Sequence, residues 1–147
     1  MNVRVIVAGK PALAFVRAGV EDYLKRLTRF GGYEWEVVRA GSREEVSARL
    51  LLRSAGCFRV ALDERGEIPD TRQLADKLAA LERRGEVKTV AFLIGAADGH
   101  SAALREACDW TLALSRLTLQ HELAALLLLE QLYRVASLRA GMPYHRA

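Results

Sequence analysis

Thr89-Val90-Ala91-Phe92-Leu93-Ile94-Gly95-Ala96-Ala97-Asp98-Gly99 is the stretch on which the reading of the fold turns. Its first six residues are nearly all apolar and show no alternation with polar ones. A strand of that kind is buried on both faces, as in parallel sheets covered by helices on each side. A glycine follows at once. Glycine lets a backbone turn sharply and approach another group closely.

Outward from that strand the same grammar repeats. Val3 to Ala8 reads as a strand, broken by Gly9-Lys10-Pro11. From Ala12 to about Arg29 apolar residues recur at helical spacing: Phe15, Val16, Gly19, Val20, Tyr23, Leu24 and Leu27. Gly31-Gly32 ends that helix, and Tyr33 to Arg39 is a second strand. Ser42 with Glu45 fits a capping box, which starts a helix running to about Ser54. Phe58 to Leu62 is a third strand, with Asp63-Glu64-Arg65-Gly66 as a turn. Asp70 with Gln73 opens a helix that Gly85 stops. Ser101 caps a short helix to Ala107, and Trp110 to Leu114 is a fifth strand. The last helix runs from Gln120 or His121 to about Ala140. Strands alternating with helices predict one α/β sandwich over residues 1–147 with a mainly parallel sheet. Ligands in such folds bind at the carboxyl ends of strands, so the loops after Leu62, Ile94 and Leu114 are candidates.

The chain has 147 residues, 51% of them hydrophobic, enough for a real core, and its mixed charge excludes global disorder. A net charge of +4 permits a nucleic-acid partner without requiring one. Cys57 and Cys108 form no Cys-x-x-Cys pair and read as free thiols in a reducing cytosol. His100, His121 and His145 show no metal-ligand spacing, so no metal is expected. The N-terminal apolar run is too short for a signal peptide, and Leu123 to Leu129 is too short to cross a membrane. The expected location is cytoplasmic.

Three segments bear on function. Gly95-Ala96-Ala97-Asp98-Gly99 lacks the dinucleotide-binding Gly-x-Gly-x-x-Gly and the phosphate-loop Gly-Lys-Ser/Thr, so by spacing alone it is a strand-to-helix turn or a ligand loop. Ser115-Arg116-Leu117-Thr118-Leu119-Gln120 is half apolar, which is odd for a surface loop. Its side chains need cover from the core or from a ligand, and its backbone could meet an adenine edge. Leu123 to Leu129 is apolar around the whole circumference, which predicts a central core helix or a subunit interface. After Glu130 there is no acidic residue, while Arg134, Arg139, His145 and Arg146 accompany Tyr133 and Tyr144. Arginines neutralise phosphates and aromatic rings stack on bases.

These segments, in this order, resemble the RlmH family, small bacterial methyltransferases of the SPOUT class. Ile94-Gly95-Ala96-Ala97-Asp98-Gly99 is similar to the family's glycine loop. Leu114 to His121, Leu132-Tyr133-Arg134 and Pro143-Tyr144-His145-Arg146 are similar to its later motifs, and Asp22 to Arg26 and Leu62-Asp63-x-x-Gly66 to its earlier ones. The resemblance implies a knotted α/β sandwich with a C-terminal trefoil knot. It implies S-adenosylmethionine bound by Leu62, Gly95, Ser115, Arg116, Leu117, Thr118, Leu119 and Gln120. It implies methylation at N3 of a pseudouridine in the helix 69 loop of 23S rRNA in assembled ribosomes, by a homodimer in which one subunit's tail completes the site. In that chemistry His145 is a candidate base, and Tyr144 and Arg146 candidate stabilisers of the developing anion, with Arg134, Arg139 and Arg146 as RNA contacts. The chain departs from the family at Ala96, usually glycine, at Gln120, usually proline, and at Ala125, often arginine. One alternative is a SPOUT methyltransferase for another RNA nucleotide; the departures motivate a second, a non-catalytic ribosome-binding assembly factor.

Overall fold

The computed structural model describes residues 1–144. Its elements run β1 (Asn2–Ala8), α1 (Ala14–Leu27), a 3-10 turn (Thr28–Phe30), β2 (Tyr33–Val38), α2 (Arg43–Arg53), β3 (Phe58–Glu67), α3 (Thr71–Arg84), β4 (Thr89–Ile94), α4 (Ala102–Ala107), β5 (Trp110–Leu112) and α5 (His121–Arg139). The five strands form one sheet in the order β2-β1-β4-β3-β5. Every pairing is parallel.

The period of two along each strand divides the core into two. Val3, Val5 and Val7 of β1, Val60 of β3, and Val90, Phe92 and Ile94 of β4 join a large cluster with residues of α1, α3 and α5. Ile6, Ala61, Ala91 and Leu93 point the other way, toward α2 and α4. β4 is therefore buried on both sides, as its unbroken apolar run predicts. The two connections that step leftward in the strand order, β1 to β2 and β3 to β4, carry their helices on the first face. The two that step rightward carry theirs on the second, as a uniform crossover handedness requires.

Local chemistry sets the helix ends. Ser42 accepts from the N–H of Glu45 while the Glu45 side chain accepts from the N–H of Ser42, and Asp70 and Gln73 do the same at α3. Gly85 closes α3 with a φ of 74°, a left-handed conformation that suits a residue without a β-carbon. Gln120 caps α5, its side-chain oxygen accepting from the N–H of Leu123 at 2.9 Å. The amide thus gives the helix a side-chain cap that a proline at this position would lack.

Two predicted boundaries are corrected. The third strand does not stop at Leu62: Leu62 and Glu67 both pair with Leu112, and residues 63–66 arch out between them as an irregularity in β3. The fifth strand ends at Leu112 instead of Leu114, and the N–H of Ala113 turns to the carbonyl of Glu67. One face residue also differs. Phe15 is 60% exposed, whereas Gly19 on the same helix lies beneath Leu126, whose methyl carbon would be 2.7 Å from a β-carbon at Gly19. α5 packs against both α1 and α3 and buries eight residues from Ala125 to Ser137, so it is a core helix of this chain. No helix among the described residues is long and apolar enough to cross a membrane.

Candidate active site at the carboxyl ends of β3 and β4

β3 and β4 are neighbours, but the chain leaves them toward opposite faces of the sheet, to α3 and to α4. Where adjacent parallel strands part in this way a crevice opens beyond their carboxyl ends. A cleft of about 360 Å³ lies there, within the range of small-molecule sites. β1 and β4 part in the same way, and a much smaller hollow lies at their ends, sharing Ile94, Gly95 and His121 with the main cleft.

Three walls enclose the cleft. The first is Leu62 to Arg65, the second Ile94 to His100, and the third Leu112 to His121 without Arg116, with Ala124 beyond it. The structure therefore brings together Leu62, Gly95, Ser115, Leu117, Thr118, Leu119 and Gln120 of the residues singled out in the sequence. Arg116 is exposed and outside the lining. The Thr118 hydroxyl donates to Glu64 at 2.9 Å, tying the third wall to the first. Leu117 is 74% exposed, an apolar side chain at the rim without cover from its own core.

The glycine loop is shaped by its own far end. A β-carbon on Gly95 would lie 3.1 Å from the Gly99 carbonyl oxygen and 3.2 Å from His100 Nδ1. Gly95 itself is buried. The close approach that the sequence suggested is thus to protein atoms. Gly99 is the residue of this loop with positive φ, at 77°. Ala96 does not have a positive φ, so this position does not need the left-handed backbone that favours glycine.

Two groups in the cleft were not singled out as site residues. Asp63, with its side chain 6% exposed, accepts from the N–H and guanidinium of Arg65 at 2.9 to 3.0 Å. Burial works against its charge, but those hydrogen bonds outweigh it and hold the carboxyl below its usual range. His100 is 3% exposed, and its Nε2 is 3.1 Å from both the Leu62 and the Leu93 carbonyl oxygens. Burial pushes its pKa below the ordinary imidazole value, more than the two carbonyls and Asp63 push it back. The only signal for His100 in the sequence is a histidine directly after a glycine turn.

The basic aromatic tail behaves differently from expectation. Tyr144 is not a free end. Its ring meets Tyr133 edge-on at 4.7 Å, its hydroxyl is 3.2 Å from that of Tyr23, and the Arg134 guanidinium lies 5.0 Å from its ring. Burial, with the Tyr23 bond and Glu130, raises its pKa well above the usual phenol value. Arg134 pairs with Glu130 at 2.6 Å, and Arg139 pairs with Glu82. Tyr144 does not line the cleft. His145 and Arg146 lie outside the described residues. Ala125 is buried and borders the smaller hollow beside Gly9 and Trp35. No group of three or more potential metal ligands occurs among the described residues.

Comparison with known proteins agrees with this architecture. A family model described as "Predicted SPOUT methyltransferase" matches residues 1–145. The chain is 49% identical over 146 residues to ribosomal RNA large subunit methyltransferase H of Thermus thermophilus, covering 99% of each chain. It is 39% identical over 148 residues to the protein of that name from Deinococcus radiodurans, again covering 99% of each. Among solved structures it is similar in fold to a probable methyltransferase from Bordetella pertussis Tohama I, with a TM-score of 0.59 at 16% identity, covering 92% of this chain and 96% of that one. The chain belongs to the SPOUT methyltransferase family, beside the ribosomal RNA large subunit methyltransferase H proteins.

Proposed function

We propose that this protein is an S-adenosylmethionine-dependent methyltransferase acting at N3 of a pseudouridine in the helix 69 loop of 23S rRNA, on assembled ribosomes in the cytoplasm. The observation that carries the reading is the cleft at the fork of β3 and β4, in a chain of this family. The lining fits the donor. Leu62, Ile94, Leu114 and Leu119 offer apolar cover for a purine, and the loops around Gly95 and from Ser115 to Gln120 offer backbone donors and acceptors for its polar edges.

When bound, S-adenosylmethionine supplies a methyl group on a sulfonium, open to in-line displacement. The protein's work is then mainly to hold donor and acceptor in line. Leu62, Gly95 and the 115–120 segment hold the donor, with Arg116 on the outer side of that segment facing the solvent. The tail serves the RNA. Tyr144 stays a neutral phenol and so acts as a hydrogen-bond donor, while His145 takes the N3 proton and Arg146 offsets charge on the base. Arg134, Arg139 and Arg146 meet phosphate, the first two by exchanging their carboxylate partners.

The 113–120 segment is bonded to the 62–67 segment at both ends, through Ala113 to Glu67 and Thr118 to Glu64, before α5 returns between α1 and α3. That course supports a C-terminal trefoil knot in one SPOUT domain. A homodimer is supported by the exposed apolar side chains of Leu13 just before α1, Phe15 on α1 and Leu127 on α5. In that dimer the tail of one subunit completes the site of its partner, a reading supported by the position of Tyr144 outside the cleft of its own chain.

The test is mass spectrometry of helix 69 RNA from unmodified ribosomes incubated with protein and donor. One added methyl on the pseudouridine supports the proposal. A methyl elsewhere would mean another RNA target, and donor binding without transfer to any ribosomal RNA would mean a non-catalytic role.

A further inference from the structure

His100 occupies the fork itself. The ladder between β3 and β4 ends at the pair Ala61–Leu93. Just beyond it, His100 Nε2 lies 3.1 Å from the carbonyl oxygens of Leu62 and Leu93, one from each strand. A ring nitrogen between two carbonyl acceptors carries the proton, so the hydrogen-bond network assigns the Nε2–H tautomer. Nδ1 is then a bare acceptor. It is buried and has no hydrogen-bond partner among the described residues. The backbone beside the ring is held from two helices: the Arg105 guanidinium donates to the His100 carbonyl at 2.7 Å, and the next N–H, of Ser101, donates to Ser47 Oγ at 3.0 Å.

We propose that His100 is a positioning residue of the cleft: as a neutral ring it ties β3 to β4 and so sets the separation of the Leu62–Arg65 and Gly95–Gly99 walls between which the donor lies. The proposal rests on the reading of the cleft as the donor site. Its physical basis is a bridge that only one protonation state suits. A second proton, on Nδ1, finds no acceptor beneath Gly95, and a buried charged ring is relieved only if the glycine loop opens to water. Two charged groups bear on the ring, Asp63 on β3 favouring the proton and Arg105 on α4 opposing it. Burial adds to the opposition.

The experiment is calorimetric titration of S-adenosylhomocysteine into wild-type protein, His100→Leu and His100→Gln, at about pH 7.5 and about pH 5.5, with thermal unfolding of each protein as the check on folding. Glutamine can place an amide N–H where Nε2 lies and does not titrate. The expected result is about tenfold weaker binding for His100→Leu at the higher pH, the size of one or two neutral hydrogen bonds, and recovery to within about threefold of wild type for His100→Gln. Wild-type affinity should fall more steeply than that of His100→Gln as the pH drops below the ordinary imidazole value of 6.5. Wild-type affinity in a folded His100→Leu protein overturns the role of His100 alone, as does an equal pH response in wild type and His100→Gln. Should His100→Leu not fold, the pH comparison decides. A wild-type protein that binds no S-adenosylhomocysteine overturns the reading of the cleft, and the positioning role with it.

Discussion

Gly66 lies so close to Thr111 that a β-carbon on Gly66 would sit 2.5 Å from both the carbonyl carbon and the carbonyl oxygen of Thr111. The contact is backbone on backbone, at the point where β3 arches around the end of β5 and pairs Leu112 with both Leu62 and Glu67. Rotamer changes cannot relieve an overlap of this kind. Gly66→Ala must push β3 and β5 apart, and overpacking of this sort costs about 1–3 kcal/mol. Urea unfolding should show the loss, together with weaker S-adenosylhomocysteine binding, since the same arch is a wall of the cleft. An alanine variant of unchanged stability would show that the arch is slack.

Substitution at Gly95 should act through the loop. The atoms that a β-carbon there would meet are the Gly99 carbonyl and the His100 ring, at 3.1 and 3.2 Å. Gly95→Ala asks the loop to give by a few tenths of an ångström, roughly the off-optimum cost of a tight contact. Gly95→Val asks for more and displaces His100. Donor affinity measured by calorimetry should therefore fall in the order glycine, alanine, valine. Equal affinities in folded proteins would mean that the loop shape does not matter to the cleft.

The burial of His100 predicts a pH dependence of stability with a definite sign. Its folded-state pKa lies below the ordinary value of 6.5, with burial as the first cause. Between those two values the unfolded chain holds more protons than the folded one. Stability is therefore full above about pH 6.5 and is lost as the pH falls toward the folded-state pKa. The carboxyls of Glu36, held low first by Arg53, and of Glu82, held low first by Arg139, contribute stability that is present above their ordinary value of 4.5. That contribution is lost only as the pH falls below it. Urea midpoints at intervals from about pH 7.5 to about pH 5 should thus decline in wild type and decline less in His100→Gln. Parallel curves would remove His100 as the cause.

The exposed apolar side chains on α1 and α5 set a test of the dimer. Leu127 is 37% exposed and Phe15 60% exposed, whereas Leu126 is packed over Gly19. Leu127→Lys combined with Phe15→Lys should give a folded monomer, because neither side chain supports the protomer's own core. Leu126→Lys should instead destabilise the protomer. Sedimentation velocity at micromolar concentration distinguishes the two outcomes, and a wild-type protein already monomeric there would sink the dimer reading.

Tyr144 separates packing from chemistry in the tail. Tyr144→Phe keeps the edge-on contact with Tyr133 and loses the hydroxyl contact with Tyr23, a net change of about 0.5–1.5 kcal/mol in stability. Tyr144→Ala removes the ring as well and should cost more. If the tail serves RNA, methyl transfer to ribosomes should fall in both variants while S-adenosylhomocysteine affinity stays near wild type. Full transfer by Tyr144→Phe would reduce this tyrosine to a packing residue.

Much of this protein is determined by its sequence alone, because the deciding interactions there are local. The unbroken apolar run of β4, the capping pairs Ser42–Glu45 and Asp70–Gln73, and Gly85 at the end of α3 each act within a few residues, so the elements and their order can be read from the chain. The three loops of the cleft were legible for the same reason, since the carboxyl ends of parallel strands follow from the alternation of elements. Other features were decided only by the tertiary structure. The extension of β3 to Glu67 depends on β5, about fifty residues later in the chain. The bridge made by His100 needs two carbonyls from different strands, and the packing of Tyr144 needs Tyr23, 121 residues away in sequence. Hydrogen bonds and ring contacts between distant segments leave no periodicity and no spacing in the chain. They exist only once the sheet has ordered the strands and brought their ends together.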